Sequence, residues 1–252
     1  MKDRKSLPGF SLLEIAIVLC IIGIIGGFGL PALTNMLNQQ KIQRTEHHLN
    51  QITQALASYV LSHKHLPCAA APGSSGESTG TSENSRFIGL VPFRTLGLPE
   101  TVAKDGYRHW ITYAVVLDLT NTEHLMMPSV DTLPERTFCE VINPHTEIQV
   151  RNQQGHSVLS GNSRGDFIAF VLVSHGPKGE GAFTDAGSRK PTSSPDKAVN
   201  VGDDLVFIDR LPSASPDNFF DDTVRWVTRN NLMAIYGQKP CQQPEDPNHL
   251  LD

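Results

Sequence analysis

One carboxylate is the sole charged residue in the longest apolar run of the chain. The run extends from Phe10 to Leu33, and Glu14 lies near its start. A helix needs about 20 consecutive apolar residues to cross a bilayer, so this run predicts a transmembrane helix. A carboxylate inside such a helix is costly to hold away from water, and Glu14 is therefore a candidate functional residue.

A serine between two glycines offers a second kind of chemistry. Residues 161–165, Gly-Asn-Ser-Arg-Gly, fit the G-x-S-x-G pattern of hydrolases. In that pattern a strand precedes the nucleophile and a helix follows it, whereas here a predicted strand follows, so a polar turn is favoured. His175 has no identifiable acid or nucleophile partner in the sequence. We therefore predict no catalytic residues and no enzyme activity.

Two groups of side chains carry atoms that bind metals. His63, His65 and Cys68 form one ligand group, whereas structural zinc sites usually show four ligands in spaced pairs, and the three residues are typical of a solvated helix end. The acidic residues of the segment 203–222 offer carboxylate oxygens, but calcium takes six to eight oxygen ligands. We predict no metal and no cofactor. Calcium is the alternative, and its weak candidate ligands are Asp217, Asp221 and Asp222.

The segment after the apolar run predicts that the helix continues. Leu49, Ile52, Leu56 and Tyr59 or Val60 recur at spacings of three and four, which indicates an amphipathic helix to about His63. The apolar stripe on this helix needs a globular domain to cover it.

The remaining residues predict a mainly antiparallel sheet with long loops. Strands are expected at 86–93, 109–119, 166–174, 204–209 and 223–227, with a hairpin at 147–160, a loop at 176–195 and a short helix at 230–236. The predicted fold class is α+β, with a long N-terminal helix packed on this sheet.

The charge of the chain bears on its partners and on its orientation. The chain has a formal net charge of −5, and we expect no nucleic acid partner because no phosphate-neutralising patch is evident. The basic residues before the apolar run predict a cytoplasmic N-terminus.

Three cysteines follow the apolar run: Cys68, Cys139 and Cys241. One disulfide is plausible among them, and its pairing is open.

The segment Gly9-Phe10-x-x-x-Glu14 resembles the prepilin peptidase site of type IV pilins and type II secretion pseudopilins. The resemblance implies cleavage between Gly9 and Phe10 and N-methylation of Phe10. It also implies that Glu14 pairs with the N-terminal amine of a neighbouring subunit during assembly. Pro31 stands where these families commonly have a helix-kinking proline. Pro8 departs from the pattern, because a basic residue is more usual before the glycine.

The resemblance implies an organisation and a function for the whole chain. We expect a leader at 1–9, a transmembrane helix at 10–33, its amphipathic continuation at 34–65 and an exposed pilin-like domain at 66–252. The expected function is that of a structural subunit, a minor pilin or a pseudopilin. The alternative is a membrane-anchored extracytoplasmic binding protein or adhesin that uses the helix only as an anchor.

The same resemblance implies partners and a location. The expected partners are prepilin peptidase, other pilin or pseudopilin subunits, an inner-membrane assembly platform and the membrane itself. The expected location is the inner membrane, crossed once, with a cytoplasmic N-terminus and a periplasmic C-terminal domain. From there the subunit would enter a type IV pilus or a type II secretion pseudopilus.

Overall fold

A computed structural model describes residues 11–79, 86–120, 138–139, 141, 144, 147–159 and 166–241, without the side chains of residues 25–32. The chain divides into two compact units, Met1–Gln43 and Arg44–Asp252. Helix α1 spans Leu12–His63 and contributes residues to both. Lys64 ends it with a φ of 66°, the left-handed conformation common at helix ends. The predicted continuation to about His63 is confirmed.

In the first unit, every described side chain of α1 is exposed. Crossing a bilayer takes about 20 consecutive apolar residues in one helix. In the part of the chain that the structure describes, no helix combines enough length with enough apolarity to do so. The predicted location, a single pass through the inner membrane with a periplasmic domain, is therefore wrong on this finding.

The second unit contains a four-stranded antiparallel sheet with the strand order β1-β2-β4-β6. Its strands are β1 Ile88–Leu90, β2 Thr112–Val115, β4 Ile168–Ser174 and β6 Thr223–Thr228. Each strand lies within or overlaps a segment predicted to be a strand. The prediction of an α+β fold with a helix on a mainly antiparallel sheet is confirmed at this level.

A separate two-stranded ladder is parallel. It joins β3 Gln149–Arg151 to β5 Val206–Ile208. The predicted hairpin at 147–160 is present in part. The Asn152 amide donates to the His156 carbonyl at 2.8 Å, and Arg151 and Ser157 form an antiparallel bridge. Two short helices complete the unit, α2 Pro195–Val199 and α3 Arg229–Ala234. The sequence predicted α3 within two residues at each end, but it did not predict α2.

The apolar stripe predicted on the second half of α1 is buried. Leu49, Ile52 and Leu56 have no exposed surface and belong to the same apolar cluster as β4, in which all seven residues are buried. A strand that is covered on both faces has a sequence that is apolar throughout, and the sequence of β4 has this pattern. Arg225 of β6 adds a polar contact, since its guanidinium lies 2.5 Å from the Glu46 carboxylate of α1.

The single disulfide among the described cysteines joins Cys139 to Cys241, two of the three candidates. The buried guanidinium of Arg229 in α3 donates to the carbonyls of Cys139 and Val141. The Cys241 amide donates to the Asn230 side chain at 3.0 Å. The residues around both cysteines are thus tied to α3, whereas Cys68 is buried elsewhere and takes no part in the disulfide.

Leu56→Ala should destabilise the second unit by about 2–5 kcal/mol, because it removes a fully buried side chain and leaves a cavity. Leu37→Ala on the exposed part of the same helix is the matched control, with an expected change within about 0.5 kcal/mol. Urea unfolding followed by the fluorescence of Trp110 and Trp226 measures both. Equal effects of the two substitutions would contradict the packing described.

Replacing Cys139 and Cys241 with serine should cost about 2–5 kcal/mol, because the disulfide closes a loop across a sequence separation of 102 residues. Urea unfolding with and without reductant measures this loss. Reductant should destabilise the unaltered chain and a Cys20→Ser control alike, and it should leave the double variant unchanged. A chain indifferent to reductant would rule out this disulfide.

Candidate functional site

The first candidate site is an apolar surface on the N-terminal part of α1. We call it the apolar helix surface, and its side chains are 48–88% exposed: Leu12, Leu13, Ile15, Ile17, Val18, Leu19, Ile21, Ile22 and Ile24. Since each helical residue advances by about 100°, these positions cover every face of the helix. A helix that is apolar all round is normally enclosed by other apolar groups. This surface therefore indicates contact with further molecules.

Glu14 lies in the first turn of this helix, and its side chain is exposed. A carboxylate there is favoured by the unpaired amides of the helix N-terminus. Gly9 and Phe10, the predicted cleavage and methylation residues, lie outside the described residues. The backbone of Pro31 is helical within α1, whereas its side chain is not described.

The second candidate site is a group of buried polar side chains that the sequence did not bring together. We call it the Lys197 cluster, and it comprises Lys197, Asp221, Asp222, His175 and Asn200. The Lys197 ammonium contacts the Asp221 carboxylate and lies 2.6 Å from Asp222 Oδ1. It also donates to the His175 carbonyl at 3.3 Å. Asn200 Nδ2 donates to Asp222 Oδ2 at 3.0 Å.

The sheet brings these residues together. Ser174 at the end of β4 pairs with Thr223 at the start of β6, so the residues just beyond each strand are neighbours. These are His175 and Gly176 on one side and Asp221 and Asp222 on the other.

Gly176 allows the close approach, because a Cβ on it would lie 2.2 Å from the Asp221 carbonyl oxygen. Its φ of 64° also favours glycine. Helix α2 then places Lys197 between the two carboxylates.

Burial controls the charge state of this cluster. It raises the pKa of Asp222 to about 6, although Lys197 acts in the opposite direction. Burial also lowers the pKa of His175 well below its usual range, with Arg189 and Lys197 adding to the effect, so the imidazole is neutral. For Lys197, burial lowers the pKa, but the two carboxylates raise it by more. One ammonium therefore faces two carboxylates in a site with little water.

His175 has both an acid and a hydroxyl neighbour, contrary to the sequence-based expectation. Its Nε2 lies 2.8 Å from Thr112 Oγ1, and its Nδ1 lies 3.8 Å from Asp222 Oδ2. The order hydroxyl, imidazole, carboxylate is that of a hydrolase triad. However, Thr112, His175 and Asp222 are all buried, so a substrate cannot reach the hydroxyl in this structure. The other serine candidate, at 161–165, lies outside the described residues.

The metal candidates do not form a metal site in the described residues. The cation between Asp221 and Asp222 is the Lys197 ammonium, and Asp217 is exposed in the turn Pro216–Asn218. No group of three or more His, Cys, Asp or Glu side chains there could hold a metal.

The zinc candidates near the end of α1 are arranged around an aromatic ring. The His63 ring stacks on Tyr59 with 3.9 Å between the centroids, and the His65 ring meets Tyr59 edge-on. His65 and Cys68 line a mixed polar and apolar cavity of about 340 Å³. These side chains thus pack on Tyr59 or border the cavity instead of converging on one ion.

The sequence and the fold were compared with known proteins. No protein-family model, no curated protein and no solved structure matches the chain. The functional inference therefore depends on two features of this chain itself, the apolar helix surface and the N-terminal motif.

Asp222→Asn should flatten the pH dependence of stability. Because the folded-state pKa of Asp222 is raised from 3.8 to about 6, its contribution is full below the unfolded-state pKa and is lost as pH rises through the folded-state pKa. The unaltered chain should therefore lose about 2 kcal/mol more than the variant between about pH 4 and pH 7. Urea unfolding across this range measures the difference. Asp217→Asn is the exposed control, and a curve for Asp222→Asn parallel to that of the unaltered chain would contradict the assignment.

Proposed function

We propose that this chain is a structural subunit of a type IV pilus or a type II secretion pseudopilus. In this proposal the N-terminal part of α1 packs against the corresponding helices of other subunits. Residues from Arg44 onward form the folded body that each subunit presents. The chemistry of the protein is then assembly, with no substrate turned over by the chain itself.

The exposure of the apolar helix surface is the observation that carries the proposal. Among the described residues, all but three of the large exposed apolar side chains lie on α1, the exceptions being Leu211, Ile235 and Tyr236. Contiguous exposed apolar surface of this kind marks an interaction site. Burying it between helices would recover about 25 cal/mol for each Å² removed from water. Neighbouring subunits of the same kind supply a surface of matching chemistry.

Glu14 gives such packing a defined register. It is the one charged residue between Phe10 and Leu33, so a bundle of these helices would hold one carboxylate per subunit in an apolar interior. A buried carboxylate needs a positively charged partner. Cleavage after Gly9 would create that partner, because it leaves a new amine on Phe10. The amine of one subunit would then pair with Glu14 of the next.

The first test examines processing. Mass spectrometry of the mature protein from its own cells should find Phe10 as the first residue, carrying one added methyl group on its amine. Gly9→Leu should leave the leader attached, because the peptidase site is lost. A mature chain that begins at Met1 would contradict the proposal.

The second test examines assembly. Glu14→Ala should be processed normally but should lower cross-linking between subunits in cells by about two orders of magnitude. Removing one partner of a buried ion pair costs about 3–5 kcal/mol, which accounts for a loss of this size. Gln40→Ala, an exposed position on the same helix, is the matched control. Cross-linking of Glu14→Ala at the level of this control would contradict the register role.

A further inference from the structure

We propose that Lys197 and Asp221 form an intramolecular amide bond, with Asp222 as the group that carries the proton. The bond would join the Lys197 side-chain nitrogen to the Asp221 side-chain carbonyl carbon. It would link α2 covalently to the residue pair that leads into β6. The inference is independent of the proposed function, because it concerns only the folded second unit.

The two reacting groups are already in contact. The Lys197 nitrogen contacts Asp221 Oδ1, and Asp222 Oδ1 lies 2.6 Å from the same nitrogen. A nucleophile, an acyl group and a proton carrier therefore share one point of the fold. For groups held in this way, the effective concentration of one at the other can reach about 10⁵ M or more. A condensation that is slow in solution is therefore feasible within the folded chain.

The surroundings exclude water and orient the acyl group. The side chains of Lys197 and Asp222 are 0% exposed, and that of Asp221 is 11% exposed. The Phe219 ring lies 5.8 Å from the lysine nitrogen. The Lys178 amide donates to Asp221 Oδ2 at 3.3 Å, where it can stabilise negative charge that develops on that oxygen. The slight exposure of Asp221 gives the released water a way out.

The chemistry balances with no added reagent. A proton passes from the lysine ammonium to the carboxylates, which leaves a neutral amine and a protonated Asp221. The amine lone pair attacks the Asp221 carbonyl carbon and forms the C–N bond. Asp222 takes a proton from the attacking nitrogen and gives it to a departing oxygen of Asp221. The C–O bond breaks, and one water molecule leaves. No atom changes its oxidation state.

The protonation states that this step needs are compatible with the site. Asp222 can hold a proton near neutral pH because burial raises its pKa to about 6. The resting form of Lys197 is the ammonium, because the two carboxylates raise its pKa by more than burial lowers it. The reaction therefore has to begin with the transfer of its proton to the carboxylates, and the burial of the three side chains lowers the cost of that transfer. Asn200 holds Asp222 in place through the hydrogen bond to its second oxygen.

Intact-mass measurement of the full chain tests the proposal. The purified protein is reduced, unfolded and weighed, and its mass should be lower than that of its sequence by one water molecule. Lys197→Met and Asp222→Ala should each show the full mass of their own sequences. Asp221→Asn should lose one ammonia molecule instead of water, because an amide replaces the acid as acyl donor. Lys239→Met, an exposed lysine outside the cluster, should retain the loss of water.

Peptide mapping of the unaltered chain locates the bond. Its result does not depend on whether the variants fold. A protease digest of the unaltered chain should contain one branched peptide that joins the segment around Lys197 to the segment around Asp221. Cyclisation at Asp105-Gly106 would also remove one water, but it would leave these two segments separate. A full mass in the unaltered chain, or a loss of water located away from Lys197 and Asp221, overturns the proposal.

Discussion

The stripe of Leu49, Ile52 and Leu56 on α1 has to be covered, because each of these side chains gains about 1.5–3 kcal/mol when it leaves water. In the second unit the cover is an apolar cluster centred on β4. That strand lies between β2 and β6 in the sheet, and all seven of its residues are buried. The contact of Arg225 with Glu46 then adds a polar link between helix and sheet.

Local pattern was enough to predict the elements of that core. The run DFIAFVLVS at 166–174 predicted β4, and the three-and-four spacing on α1 predicted which helix residues are buried. Both predictions use only residues that are close in the sequence. The spacing of apolar residues in such a segment follows which of its positions are buried. The parallel pairing of β3 with β5 could not be predicted in this way. It depends on contacts across more than fifty residues, which leave no trace in either segment.

The Lys197 cluster was missed for a related reason. A lysine is normally exposed, and nothing near Lys197 in the sequence indicates that it is buried. Asp221 and Asp222 were interpreted as possible calcium ligands because their carboxylates are adjacent in an acidic segment. The structure shows that the positive charge they face comes from α2, a five-residue helix in a stretch rich in serine and proline. The calcium alternative therefore had the correct sign of charge, but the positive group in the structure is the Lys197 ammonium.

The origin of that cation has a consequence for the loops between β4 and β6. A loop organised by a captured ion loses its order when the ion is diluted or chelated, since its stability follows the free concentration of the ion. Here the positive group is attached to the same chain, so its effective concentration at Asp221 and Asp222 is set by the length of the tether. Dialysis cannot remove it, and the medium need not supply it. Until the proposed amide forms, the long loops of this unit therefore carry their own counter-ion into any solution in which the chain is placed, and afterwards a covalent bond takes its place.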